Sequence, residues 1–298
     1  RLVEHKDELF KFLKRRWGEL FGATFDVLLY DLTSTYFETD KERGPEDLRQ
    51  FGYSRDKRSD CRQVVIALIV TPEGLPLSYE VMSGNTLDCT TLSGFLERIE
   101  RRYGRAQRIW VMDRGIPSED SLAQMRAMGA GYLVGTPKGR LTKFEQALLD
   151  KPWVQIRPGV HVKRLATEED VYVLAQSQAR IAKERAMRRK RLGRYIERLQ
   201  ALQGQSLTRD KLLMKLGAAK HEAGRSAGAV MVSVPEASPD SSTASFEFKL
   251  QRAKLRRMRR REGRYLLRTN LSAHEPDALW KFYVQLTEVE QAFKEIKN

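Results

Sequence analysis

A short apolar run that stops at a lone acid constrains this chain most. In Arg108–Gly115 (RIWVMDRG) the residues Ile109–Met112 lead into Asp113, and Gly115 follows two positions later. Four apolar residues bounded by a turn signal fit a buried strand, not a helix. In an α/β protein such a strand delivers a carboxylate just beyond its carboxyl end. A second segment has the same form: Val27-Leu28-Leu29-Tyr30 runs into Asp31. Two strands that each deliver one carboxylate to the same edge suggest a metal site, and a third acid is needed to complete it.

The chain has 298 residues, enough for a sizeable core and for one large domain with an insertion or for two domains. Its formal net charge is +15 and its pI about 9.8. That balance points to a polyanionic partner, nucleic acid before an anionic membrane surface, with a merely soluble basic protein as the bland alternative. No apolar run approaches the length of a membrane span, and the charged start shows no signal peptide. Cys61 and Cys89 fit no metal spacing and no disulfide framework, so a reducing cytosol is the simplest setting. The chain begins with Arg and ends at Asn298 just past a helical pattern, which reads as a piece of a longer protein.

Apolar spacing predicts a helix over residues 2–21, then a strand at Phe25–Tyr30 followed by the β-branched and aromatic stretch after Asp31. Residues 40–62 read as a polar loop. The run QVVIALIV at 63–70 reads as a strand covered on both faces, with Leu77–Met82 as its hairpin partner. A helix is expected at Thr86–Tyr103, then the strand ending at Asp113. A short helix at Pro117–Met128 with Ser118 as its cap and a strand at Tyr132–Val134 before the turn GTPKGR complete this half. The pattern is that of a mixed α/β sheet. Beyond it, strands are expected at Trp153–Val162 and Asp170–Ala175, a basic helix from Arg180 to Leu202, a second at Leu207–Leu216, and loop or weak strand over Ala223–Ser245. Another basic run follows at Arg252–Arg264. A strand at Arg264–Thr269 and one helix at Asp277–Asn298 close the chain, with Glu290 beside the apolar stripe of that helix. A carboxylate there is costly unless paired or bound to metal.

The last helix supplies the third acid. Its sequence WKFYVQLTEVEQAFKEIKN holds Tyr283, Glu290 and Lys297 at the spacings of the Tyr-(2)-Arg-(3)-Glu-(6)-Lys signature, and so resembles one branch of bacterial insertion-sequence transposases of the DDE class. Leu286 stands where that signature has Arg, so the phosphate contact of that Arg is not carried over. YDLTSTYFE resembles the family's first-Asp block, VMDRG its second, and SGNTLD, with Asn85 and Asp88, the segment between them. The resemblance implies an RNase H-like mixed sheet flanked by helices, interrupted by a basic insertion between the second Asp and the Glu helix. It implies domains at 1–24 (a helix packing on the core), 25–139 (first part of the catalytic core), 140–264 (insertion) and 265–298 (last strand and Glu helix). It also implies cleavage at transposon ends, strand transfer of 3′-hydroxyl ends into target DNA, and a homodimer on paired ends in a bacterial cytoplasm. A metal-dependent nuclease or resolvase, or a non-catalytic DNA-binding derivative, is the alternative.

The chemistry agrees without the family. In-line attack on a phosphodiester suits two divalent ions, and Mg²⁺ or Mn²⁺ prefers carboxylate oxygen. Asp31, Asp113 and Glu290 are the expected ligands, with Lys297 and Tyr283 near the phosphate. The plain alternatives are turn or cap roles for the two Asp residues and an i,i+4 ion pair of Glu290 with Lys294. For double-stranded DNA, the expected contacts are Tyr53, Arg55, Lys57 and Arg58 in the first loop. The basic runs add Arg185, Arg188, Arg189 and Arg191, then Arg256, Arg257, Arg259 and Arg260, which would bind phosphates in a salt-sensitive and largely sequence-independent way.

Overall fold

In the computed structural model, residues 4–39, 44–56, 58–103, 108–136, 144, 146–148, 150–236 and 245–297 are described, with backbone alone at 88–90, 102, 103, 288, 296 and 297. Helix α1 (Lys6–Phe21) precedes β1 (Val27–Phe37), β2 (Arg62–Val70) and β3 (Pro76–Ser83). Then come α2 (Asp88–Tyr103), β4 (Ile109–Met112), α3 (Glu119–Ala127) and β5 (Gly131–Gly135). Strands β6 (Val154–Arg157), β7 (Val160–Ala166) and β8 (Val171–Ser177) lead to α4 (Gln178–Gln203) and α5 (Arg209–Ala223). A ribbon of β9 (Val230–Ser233) and β10 (Glu247–Leu250), α6 (Arg252–Arg260), β11 (Arg264–Thr269), α7 (Pro276–Val284) and α8 (Leu286–Lys297) follow. None of the described helices is long and apolar enough to cross a membrane.

The large sheet has the order β3-β2-β1-β4-β5-β11-β8-β7-β6. Strands β1, β2 and β3 pair antiparallel, β1, β4 and β5 pair parallel, and β11 returns antiparallel beside β5. This is the RNase H-like mixed sheet that the resemblance implied. Residues 140–264 contribute β6–β8 to that sheet and the whole of a second compact unit. The first unit comprises Arg1–Ile156, Val162–Ala175 and Tyr265–Asn298, and the second Arg157–His161 and Gln176–Arg264.

Strand alternation sorts the core of the first unit. Leu28, Tyr30 and Leu32 of β1 pack with Trp110, Met112, Tyr132 and Val134 against Phe95, Leu96 and Ile99 of α2. Tyr30 is fully buried, its ring 5.2 Å from that of Phe95, and its hydroxyl is within 2.8 Å of Thr91 Oγ1. The opposite face buries Leu29, Val111 and Leu133. Helix α8 packs on β1 and β2, and among its described residues Val289 and Phe293, one turn apart, are buried. The expected cap of α3 is present: Ser118 Oγ accepts from Ser121 N–H, and Ser121 Oγ accepts from Ser118 N–H. The second unit has its own core of Leu192, Tyr195 and Leu199 from α4, Leu212 and Leu216 from α5, and Phe246.

Two expectations are corrected. β1 does not end at Tyr30; it runs through Asp31 to Phe37, because residues from Thr33 to Phe37 keep pairing with β2 after β4 has stopped at Met112. The last helix is two helices, parted at Gln285. Thr287 Oγ1 donates to the Val284 carbonyl at 2.9 Å, a local side-chain bond that competes with the helical ladder.

Because Phe95 is about 1% exposed and underpins Tyr30, Phe95→Ala is expected to cost about 3–5 kcal/mol in urea unfolding. A loss near zero would contradict this packing.

Candidate functional site

The register of β1 on β4 positions the two aspartates. Tyr30 pairs with Met112, the last partner on that edge. Asp31 and Asp113 are each the next residue, so they stand side by side on strands roughly 4.8 Å apart. Tyr30 and Met112 face α2, which turns Asp31 and Asp113 to the side covered by α7 and α8. Gly115, at φ 96°, makes the left-handed turn that takes the chain away after Asp113.

Asp31 is half-buried, whereas Asp113 and Glu290 are exposed. Burial pushes the Asp31 carboxyl up to about 7, against the Leu32 N–H that donates to its Oδ1 at 2.8 Å. The negative charges of Asp113 and Glu290 raise it further, while the positive charge of Arg55 pulls it down. Asp113 and Glu290 therefore both act electrostatically on Asp31, although they lie 82 and 259 residues from it in sequence (113 − 31 and 290 − 31). Tyr283 Oη donates to Asp113 Oδ1 at 3.2 Å. Its ring lies 6.0 Å from Tyr265, which stacks on Trp280 at 4.9 Å. The side chain of Lys297 lies outside the described residues, as does that of Asp88. Asn85 Oδ1 accepts from Ser83 Oγ at 2.7 Å.

Among the described residues, no three acids, histidines or cysteines stand close enough together to hold one ion. The donor chemistry nonetheless fits a hard divalent cation: only carboxylate oxygens, one of them half-buried among like charges, which a cation would relieve.

The loop before β2 borders this site. Gln50 bridges to Gln63, and the buried Gln63 amide donates to the carbonyls of Tyr53 and Gly84 at 3.0 and 2.8 Å. Arg55 N–H donates to Ser34 Oγ at 3.3 Å, three residues beyond Asp31 on the β1 edge that β4 no longer covers. Tyr53 is 86% exposed. Arg58 is held by Glu38 and Asp60 at 2.8 and 3.0 Å over the Tyr36 ring. Lys57 lies outside the described residues.

In the second unit, Arg189, Arg191, Arg256, Arg257, Arg259 and Arg260 are exposed. Leu255 and Met258 turn the other face of α6 onto the local core. Arg188 is committed inward, to the buried Glu262 at 2.5 Å, and the partly exposed Arg185 reaches the same carboxylate at 3.5 Å. Sequence reading gave all of these arginines one role because the partner acid lies 74 to 77 residues downstream. It also passed over Gly135, which ends β5 beside Asp113 and had been read as part of the following turn.

A family model described as "Transposase DDE domain" matches residues 24–298. No curated protein matches the chain. Among solved structures, the cryo-EM structure of a piggyBac transposase synaptic complex with hairpin DNA is similar, at a TM-score of 0.36 and 11% identity over 60% of this chain. The chain spans 37% of the length of that protein.

The raised carboxyl of Asp31 has a testable consequence. Its folded-state pKa lies above the ordinary 3.8, so its contribution to stability is full below about pH 4 and is lost as pH rises through 7. Asp31→Asn is therefore expected to raise the melting temperature of the metal-free protein at pH 8 relative to wild type, and to change it little at pH 4. Equal shifts at both pH values would contradict the assignment.

Proposed function

The chain belongs to the transposase DDE domain family, and from that premise we propose that it is the catalytic part of a DNA transposase whose carboxylates are Asp31, Asp113 and Glu290. The observation that carries this reading is the register that sets Asp31 beside Asp113 at the end of β4, with Glu290 acting on Asp31 from α8. The family generally uses divalent metal ions; here we infer two Mg²⁺ ions, with Mn²⁺ able to replace them. Bound there, such ions supply Lewis-acid activation of the attacking and leaving oxygens.

The chain's own residues do the positioning. Asp31 holds one oxygen against the Leu32 N–H, which orients its carboxylate. Tyr283 donates to Asp113 Oδ1, which orients the second. Arg55 faces the cluster with a positive charge and takes a phosphate oxygen of the DNA; it offers at the site a guanidinium that Leu286 does not provide. Lys297 adds a second cation from the end of α8. In the first step water attacks a phosphodiester at the element's end, one P–O bond forming as another breaks. In the second, the freed 3′-hydroxyl attacks target DNA in the same way. Double-stranded DNA is the partner, held by Tyr53, Arg55, Lys57 and Arg58 near the site and by Arg189, Arg191, Arg256, Arg257, Arg259 and Arg260 on the second unit. The protein acts as a homodimer on paired ends.

Asp113→Asn is expected to abolish divalent-dependent DNA cleavage while leaving duplex binding within about twofold, since a single exposed carboxylate contributes little to backbone affinity. Cleavage by this variant at the wild-type rate would sink the assignment. Joined products linking element DNA to target DNA would separate a transposase from a nuclease. Replacing Arg256, Arg257, Arg259 and Arg260 with alanine should weaken duplex binding and flatten its dependence on log[salt] by about 0.9 per lost phosphate contact. Arg188→Ala should instead lower the melting temperature, because it leaves the buried Glu262 with only the longer contact to Arg185.

A further inference from the structure

Resting on the reading of Asp113 as a catalytic carboxylate, we propose that Gly135 is a positioning residue: it lacks a side chain because the Tyr283 hydroxyl occupies that space in order to reach Asp113. The row formed by Asp31 on β1 and Asp113 beyond β4 continues to Gly135 on β5, since Tyr30, Met112 and Val134 share one cross-strand register. A Cβ on Gly135 would stand 2.7 Å from Tyr283 Oη, closer than real Cβ contacts come. It would also stand 3.3 Å from Asp113 Oδ1 and from the Arg114 backbone nitrogen.

Backbone conformation does not explain the glycine. Gly135 is not among the residues with a left-handed backbone, unlike Gly115 and Gly129. Nor does the strand have room to withdraw. Val134 is paired to Met112 on one side and Gly135 to Leu267 on the other. The next residue, Thr136, donates both its N–H and its hydroxyl to the Leu266 carbonyl, at 2.9 and 2.8 Å. The phenol is the softer partner, but its ring is backed by Tyr265, itself stacked on Trp280. A methyl group at 135 therefore displaces the hydroxyl from Asp113 rather than bending the sheet.

Two measurements test this. The first needs no activity: 3-fluorotyrosine at position 283 is followed by ¹⁹F NMR. Asp113→Asn should shift that resonance in an otherwise wild-type chain and leave it unmoved in a Gly135→Ala chain. A shift of equal size in both overturns the proposal. The second is Mn²⁺-dependent nicking of supercoiled plasmid DNA. Tyr283→Phe and Gly135→Ala should each slow nicking by about tenfold or more, as loss of a hydrogen bond that orients a metal-ligating side chain does. The double variant should be slower than either by less than about twofold. Wild-type nicking by Gly135→Ala, or losses that multiply in the double variant, overturn it. A melting temperature lowered by Gly135→Ala and restored by adding Tyr283→Phe supports the clash, and one lowered equally in both backgrounds overturns it. If the wild-type chain nicks no DNA, the proposed function fails while the ¹⁹F comparison still decides the role of Gly135.

Discussion

Two carboxylates set side by side, Asp31 half-buried and Asp113 exposed, are the constraint on which this structure turns. Pairing of Tyr30 with Met112 leaves Asp31 and Asp113 side by side where β4 ends and β1 continues. The sheet gains nothing from that repulsion, which pushes the Asp31 proton affinity in the same direction as burial does. A fold retains such an arrangement when a cation resolves it. The apolar core beneath, with Tyr30 locked between Phe95 and Thr91, keeps β1 from sliding by one residue. Such a slip would send Asp31 into the α2 face.

The surroundings of the row follow from that demand. Helix α8 is held down by Val289 and Phe293, and this anchoring brings Glu290 into electrostatic reach of Asp31. Tyr283, on the separate helix α7, reaches Asp113. The loop carrying Arg55 is fastened by the buried amide of Gln63 to backbone carbonyls, so a positive charge borders the acids and acts on Asp31. Away from the row, buried charge is balanced locally. Arg268 joins Asp170 at 2.6 Å and Glu119 at 2.7 Å, which accounts for the acids near α3 as a structural network and not as a second site.

Much of this was legible in the chain. Apolar runs ending in acids located β1 and β4, continuous hydrophobicity located β2, and helical spacing placed Glu290 beside a buried stripe. Most of what escaped has one physical cause: partners far apart in sequence. Arg188 reads as one more arginine in a basic helix until Glu262 is found beneath it. The strand continues past Asp31 because β2, not β4, pairs with residues 32–37. The break at Gln285 is a local matter instead, accompanied by the Thr287 hydroxyl bonding to the Val284 carbonyl, which periodicity does not encode. Gly135 looks like the start of a turn, and only the approach of Tyr283 from 148 positions downstream (283 − 135) gives its missing side chain a purpose.

Anomalous diffraction from crystals grown with Mn²⁺ tests the central claim most directly. Manganese density is expected beside the carboxylates of Asp31, Asp113 and Glu290, lost or strongly reduced in Asp113→Asn crystals. Manganese bound elsewhere on the chain, with that row left bare, would contradict it.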